Sequence, residues 1–147
     1  MPQKEAGDRA VLLFAQGNNC AQAVLLAVCE EKGLCVDKAV ASAFGGGMGR
    51  SGQTCGAVTG GLMALGLGWN QEVGEAQSDP RQGISDVARQ FMENLHQQFG
   101  STDCEDLIKG RFAADSTPET YCKETKERLC KELVRYAARA ATEQLEG

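Results

Sequence analysis

Histidine, aromatic residues and strand-forming patterns are scarce in this 147-residue chain. Their scarcity limits the classes of fold and function that the chain can have. The single histidine, His96, lies among polar residues and leaves little material for histidine-based nucleophilic dyads. Aromatic residues make up 5% of the chain, which provides few stacking platforms for single-stranded nucleic acid. Alternation of β-branched or aromatic residues with polar ones is almost absent. The sequence therefore favours helices and disfavours the common histidine enzymes.

Positive charge is also in deficit, because 20 acidic residues outnumber 15 lysines and arginines and leave a net charge of −5. We therefore expect no nucleic-acid partner, since phosphate binding needs a basic face. No apolar run approaches the roughly 18 residues that span a bilayer, so we expect no membrane insertion. The first residues lack the basic-then-apolar pattern of a signal peptide, and we expect a cytoplasmic protein.

Seven cysteines and 18 glycines stand out against these deficits. Five of the glycines fall in residues 44–52, directly before Thr54–Leu67, a stretch of apolar and small residues. A helix that is apolar on every side is buried on every side. Gly56 and Gly60 would let a neighbouring backbone approach this helix closely. We predict a central buried helix that the chain enters through a glycine-rich loop.

Helix start and stop signals predict an all-α, single-domain bundle over residues 1–147. The predicted helices are Glu5–Gln16, Cys20–Glu31 with Asn19 as N-cap and Gly33 at its end, a short helix after Asp37, Pro80–Phe99 and Pro118–Leu145. Residues 104–110 form a loop or a short helix. On the last helix, four residues fall on one face at 4-3-4 spacing: Cys130, Val134, Ala137 and Ala141.

Two cysteines stand at predicted helix starts. Cys55 follows the glycine-rich loop, and Cys20 follows Asn18 and Asn19. Backbone N–H groups and the positive end of the helix dipole favour a thiolate at such a position, and Arg50 reinforces the effect at Cys55. We predict that Cys55 and Cys20 are catalytic. The alternative for each is a small, buried, apolar core residue.

The remaining cysteines carry weaker local signals. Cys104 lies between acidic residues that should raise its pKa, and Cys130 faces inward, where a core role is equally consistent. Cys29 and Cys35 are expected to be core and loop thiols, and Cys122 lies near the start of the last predicted helix. The chain has no Cys-x-x-Cys, so neither a thioredoxin-like pair nor a zinc knuckle is written locally. Functional cysteines must therefore meet through the fold.

Gly47, Gly49 and Gly52 match the pattern Gly-x-Gly-x-x-Gly. The dinucleotide-binding fingerprint requires a strand before this pattern, whereas here a helix is predicted to precede it. We interpret the three glycines instead as cofactor-binding residues of a loop that wraps closely round a site at the start of the Cys55 helix.

Four blocks of the sequence together resemble a known family. They are Asn18-Asn-Cys20-Ala-Gln-Ala-Val24, Gly45-Gly-Gly-Met-Gly-Arg-Ser-Gly-Gln-Thr-Cys55-Gly-Ala-Val-Thr-Gly60, Cys104, and Cys130-Lys-Glu-Leu-Val134. Over about residues 10–145 the chain resembles the C_GCAxxG_C_C family of redox-active proteins, although the Gly-Ala order after Cys55 matches the family motif loosely. The resemblance implies that the family's four cysteines are Cys20, Cys55, Cys104 and Cys130, with Cys29, Cys35 and Cys122 as extras.

The resemblance also bears on the cofactor. The family is similar to one domain of split-Soret cytochromes, which carry haem and a proposed iron–sulfur site. This chain has no Cys-x-x-Cys-His, so covalent haem is not expected. We predict that the four family cysteines converge and bind an iron–sulfur cluster for electron transfer, with loop N–H groups directed at its sulfur atoms. A zinc site with four cysteine ligands is the other metal expectation.

Two metal-free alternatives remain open. In the first, the protein is a thiol–disulfide oxidoreductase in which Cys55 attacks and Cys20 or Cys130 resolves. In the second, it is a helical interaction module in which the cysteines are small core residues. A redox partner protein is expected, which the sequence does not identify, and the glycine-lined helix is compatible with a homodimer.

Overall fold

The described part of the chain is built from helices. The computed structural model describes residues 5–72, 80–109 and 123–146. The elements are α1 (Ala6–Ala15), α2 (Cys20–Lys32), a 3-10 helix (Lys38–Phe44), α3 (Gly56–Glu72), α4 (Pro80–Phe99), α5 (Cys104–Ile108), α6 (Lys123–Thr125), a π-helical segment (Lys126–Cys130) and α7 (Lys131–Glu146). The predicted all-α class is confirmed. None of the described helices is both long and apolar enough to cross a membrane.

Both predicted ends of α2 are confirmed. The Asn19 side chain accepts a hydrogen bond from the Gln22 N–H at 2.8 Å, and the Gln22 side chain accepts one from the Asn19 N–H at 3.1 Å. This reciprocal capping box satisfies two helix-start donors. At the other end Gly33 adopts φ +69, and the Leu34 N–H donates to the Cys29 carbonyl at 2.8 Å, which reverses the chain.

The central helix is α3, which packs against α2, α4, α7 and the 3-10 helix. The close approach expected at its glycines is present, because a Cβ added to Gly60 would lie 2.3 Å from the Ala21 carbonyl oxygen of α2. The helix begins at Gly56, so Cys55 immediately precedes it. It also continues past the predicted end at Leu67, since Gly68 lies against Leu145 and packing there extends the helix.

The C-terminal helix differs from the prediction at one place. Its predicted start at Pro118 and the residue Cys122 lie outside the described residues, as does the cap residue Asp79 of α4. From α6 to α7 the backbone stays right-handed helical, but Lys126–Cys130 is π-helical, which the spacing pattern did not predict. Single π-helical turns inside α-helices are frequent at functional sites.

The buried apolar side chains form one continuous core. The predicted inward face of the last helix is confirmed, because Cys130 is 4% exposed and Val134, Ala137 and Ala141 are fully buried. α1 packs against α2 and α7, and α4 places Phe91 against Gly61 of the central helix. The start of α3 is thereby surrounded by the starts of α2 and α5 and by the π-helical segment.

Candidate redox site

Four cysteines from four separate elements meet in one buried site, which we call the cysteine quartet: Cys20, Cys55, Cys104 and Cys130. Cys20 opens α2, Cys55 immediately precedes α3, Cys104 opens α5 and Cys130 ends the π-helical segment. Their exposed fractions lie between 4% and 8%. Charge on any of the other three would raise the pKa of Cys20. The convergence that the family resemblance implies is therefore present in the fold.

The main chain holds two members of the quartet together. The Cys55 N–H donates to the Thr102 carbonyl at 2.7 Å, and the Cys104 N–H donates to the Gln53 carbonyl at 2.7 Å. These bonds form an isolated antiparallel bridge between Thr54 and Asp103. Cys55 and Cys104 are therefore positioned by backbone hydrogen bonds that do not depend on their neighbours' side chains.

Cys55 has the helix-start donors that the sequence indicated, but burial outweighs them. Burial raises its pKa to about 12, whereas hydrogen bonds from the N–H groups of Ala57 and Val58 act in the opposite direction. The charges of Cys130 and Cys104 would raise it further. Local sequence shows the donors of a helix start, but it does not show how completely the thiol is removed from water.

Cys20 and Cys130 form a hydrogen-bonded pair of thiols. The hydrogen bond to Cys130, together with burial, raises the pKa of Cys20 well above its usual range. The same hydrogen bond and the positive charge of Lys126 lower the pKa of Cys130, against the effect of burial. Because Lys126 acts on Cys130, Cys130 is the member of the quartet whose thiolate the surroundings stabilise.

Cys104 has a raised pKa for a different reason than the sequence suggested. Burial, followed by the charge of Cys130, raises it to about 11. The acidic residues on either side of it, Asp103 and Glu105, are exposed and are not among the causes of the shift. The expected direction is confirmed, and its cause is the protein interior.

The glycine-rich loop packs closely against the quartet, and some of its N–H groups already donate hydrogen bonds to nearby carbonyls. A Cβ added to Gly47 would lie 2.8 Å from the Cβ of Cys104 and 2.6 Å from the Gln53 nitrogen. The Gly49 and Gly52 N–H groups donate to the carbonyls of Ala43 and Gly46, at 2.7 and 3.1 Å. Those two N–H groups are therefore already engaged in hydrogen bonds. Cofactor binding by the three glycines stays a prediction, and the close approach of Gly47 to Cys104 is the observation that supports it best.

The sequence model of the family described as "Putative redox-active protein (C_GCAxxG_C_C)" matches residues 18–144, a span that contains the whole quartet. The chain belongs to this family. No curated protein and no solved structure matches the sequence. The family's description names redox activity but not the residues that carry it.

The side chains of the quartet are of the right chemical type for a metal centre. Their positions in this structure are not those of metal ligands. Four thiols are the ligands of iron–sulfur clusters and of all-cysteine zinc sites. Across residues 5–72, 80–109 and 123–146, however, no three His, Cys, Asp or Glu side chains are placed so that they could hold a metal ion. As they stand, the thiols are arranged for hydrogen bonding between Cys20 and Cys130.

The other described cysteines form a second, smaller group. Cys29 is buried and Cys35 exposed, as expected of core and loop thiols. Burial, the charge of Cys35 and that of Glu30 raise the pKa of Cys29 to about 11, so the two cysteines lie near each other. Sequence reasoning missed this proximity, although the chain reversal at Gly33 was its signal. All six cysteines in the described part of the chain are free thiols.

Proposed function

We propose that the quartet is a thiol redox centre that passes two electrons by forming and breaking a disulfide between Cys20 and Cys130. The observation that carries this proposal is that both thiols are buried and that each acts on the pKa of the other. Lys126 supports it, because a cation favours the thiolate of Cys130, and the thiolate is the nucleophile in thiol–disulfide exchange.

The proposed reaction with a disulfide substrate, R–S–S–R, has two steps. The Cys130 thiolate attacks one substrate sulfur, which forms a mixed disulfide and releases one RS⁻. The Cys20 sulfur, on losing its proton, then attacks the Cys130 sulfur and releases the second RS⁻. The protons of the two cysteines end on the two released thiols, the protein is oxidised by two electrons and the substrate is reduced by two.

Cys55 and Cys104 have a supporting part in this scheme. Their pKa values of about 12 and about 11 keep both thiols protonated near neutral pH. They therefore do not compete with Cys130 as nucleophiles. This differs from the expectation that Cys55 attacks, which rested on the helix start alone.

Disulfide mapping tests the proposal directly. A variant with Cys29, Cys35 and Cys122 replaced by Ser retains only the quartet; it is reduced, treated with 2-hydroxyethyl disulfide, quenched in acid and digested for mass spectrometry. We expect a reversible Cys20–Cys130 linkage, and Cys130→Ser should abolish it. Four free thiols after treatment, or a linkage through Cys55, would contradict the proposal.

An iron–sulfur cluster is the second candidate, and the all-thiol donor set is the observation that favours it. Cys20, Cys55, Cys104 and Cys130 would hold the cluster, and the Gly47 backbone packs closely against Cys104. When bound, a cluster supplies one-electron transfer. The residues contribute the four ligands and a shell that limits contact with water.

Anaerobic purification separates the two candidates. A cluster predicts a coloured protein containing iron and acid-labile sulfide, with both lost in Cys55→Ser. The thiol centre predicts a colourless, metal-free protein that still forms the Cys20–Cys130 disulfide. A colourless protein with one bound zinc would support the zinc alternative, with four cysteine ligands, and contradict both.

A further inference from the structure

A basic cleft opens beside the quartet. Its volume is about 640 Å³, within the range of small-molecule sites. Arg50 of the glycine-rich loop lines it together with Lys123, Lys126 and Lys131 of the C-terminal helix, and Glu127 is the acidic residue among its described lining. This concentration of positive charge contrasts with the net charge of −5 of the whole chain.

The cleft borders the two cysteines of the proposed reaction. Its lining includes Asn19, directly before Cys20, and Lys131, directly after Cys130. Lys126 also lines it, and its charge acts on the Cys130 thiol. Neither cysteine is itself among the described residues that line the cleft. A molecule bound in the cleft would therefore be next to the thiol pair, while the pair itself stays covered.

The size and burial of the site restrict the substrate. With Cys20 and Cys130 only 7% and 4% exposed, a disulfide in a folded protein could not reach the pair in this conformation. A small molecule that enters the cleft is far better suited. Val11 and Phe14 add an apolar side to the cleft beside its cations, which suits a molecule with short apolar segments between acidic groups.

We infer that this cleft binds small-molecule disulfides that carry carboxylate groups, and that these are the substrates of the quartet. That the substrate is a disulfide rests on the proposed thiol function. That it carries carboxylates rests only on the basic lining of the cleft. Carboxylates accept charge-assisted hydrogen bonds from Arg and Lys, and a cleft lined by one sign of charge raises the local concentration of the opposite charge.

Equilibrium binding tests the cleft without any redox step. The probe is S-methylglutathione, an unreactive thioether with two carboxylates, titrated calorimetrically into the reduced protein. Arg50→Gln combined with Lys131→Gln should weaken binding about ten-fold and reduce its salt dependence. The matched control, Arg89→Gln with Lys109→Gln, removes the same charge outside the cleft and should change the affinity less than about two-fold. No binding to the unaltered protein, or equal losses in both variants, would overturn the inference.

Reaction rates then test the substrate class. Reduced protein is mixed with anionic glutathione disulfide, neutral 2-hydroxyethyl disulfide or cationic cystamine, and each rate in the cleft variant is compared with that of the unaltered protein. We expect the variant to be about ten-fold slower with the anionic disulfide, unchanged with the neutral one and faster with the cationic one. Lys126 is left in place so that Cys130 keeps its neighbouring charge.

The outcomes separate the cleft from the redox chemistry. Equal rate ratios for all three disulfides would overturn the substrate assignment while leaving the Cys20–Cys130 reaction intact. No disulfide formation with any reagent would overturn the thiol function and the disulfide class, even if S-methylglutathione still binds. Circular dichroism and thermal unfolding of both double variants check that each is folded.

Discussion

The two ends of α2 offer the most instructive comparison in the molecule. Cys20 opens the helix and Cys29 lies in its last turn, and both are buried thiols with raised pKa values. At the first end other elements bring three more thiols and the cation Lys126. At the second end the neighbours are the exposed Cys35 and the acidic Glu30.

This difference shows where the chemistry of a cysteine comes from. Cys20 stands at the positive end of a helix dipole, yet its pKa is raised, because a hydrogen bond to Cys130 and burial dominate. On the proposed function, reactivity at this end belongs to the pair of thiols and its cation rather than to the helix start. Cys29 has burial without such partners, and we expect it to be inert.

The largest predicted effect is structural and acts at the quartet end. Gly60→Ala should destabilise the protein by about 2–3 kcal/mol, because its Cβ would lie 2.3 Å from the Ala21 carbonyl oxygen, one residue from Cys20. Denaturant unfolding measures the free energy, and disulfide mapping shows whether the Cys20–Cys130 linkage is weakened as well.

Gly66→Ala is the matched control, on the same helix α3. A Cβ there would meet nothing within 4 Å, so the change should stabilise the helix by about 0.5–1 kcal/mol. Equal effects at the two glycines would show that close packing of α2 on α3 does not hold the quartet end together.

The next effect compares two buried thiols directly. With iodoacetamide, a small neutral reagent, at about pH 8, Cys130 should react at least about ten-fold faster than Cys29, because the pKa of Cys29 is about 11 and that of Cys130 is lowered. Peptide mass spectrometry over time measures both rates in one sample, and denatured protein provides the reference. Faster labelling of Cys55 than of Cys130 would restore Cys55 as the attacking thiol.

Alkaline pH should destabilise both ends, in proportion to the number of buried thiols at each end whose pKa is raised, which leaves out Cys130. A thiol with a folded-state pKa raised above its usual 9.0 stabilises the protein fully below pH 9, and this contribution is lost as the pH rises through the folded-state value. Unfolding free energies should therefore fall between about pH 9 and 12, by at most about 1.4 kcal/mol per pH unit for each thiol.

The variant Cys29→Ser isolates the contribution of Cys29, in the last turn of α2, to this loss of unfolding free energy. In that variant the unfolding free energy should fall less steeply between pH 9 and 11, because the contribution of one thiol is removed. The part of the fall that the quartet causes should remain. An unchanged slope would mean that Cys29 ionises in the folded state as readily as in the unfolded chain.

The smallest predicted effect concerns the cation at the quartet. Lys126→Gln should slow the alkylation of Cys130 about three-fold, because the charge that stabilises its thiolate is removed. Lys123→Gln, on the same stretch of helix and ion-paired to Glu127 at 3.8 Å, is the control and should leave the rate unchanged. Equal slowing by both would indicate a general charge effect of the cleft.

Local signals were sufficient for the all-α class and for both ends of α2. Asn19 and Gly33 act through their own backbone neighbourhood, so their roles can be read from adjacent residues. The glycines of α3 were also interpretable, since an apolar helix with small residues four apart indicates close packing. The π-helical turn that ends at Cys130 could not be predicted from the sequence, because no distinctive residue marks it.

The site itself could be predicted only in part. That four cysteines belong together followed from the family resemblance, whereas their mutual charge effects depend on distances that only the folded chain sets. The cause of the raised pKa of Cys104 and the balance at Cys55 depend on burial, which neighbours distant in sequence decide. The cleft combines Arg50 with lysines far away along the chain, so no local pattern could reveal it.

The origin of the quartet in four distant segments has a consequence for how the protein forms. Cys20, Cys55, Cys104 and Cys130 are well separated along the chain, so every pairing closes a long loop and carries its entropic cost. Such non-local contacts form late in folding. The Cys20–Cys130 linkage would therefore report that distant segments of the chain have come together.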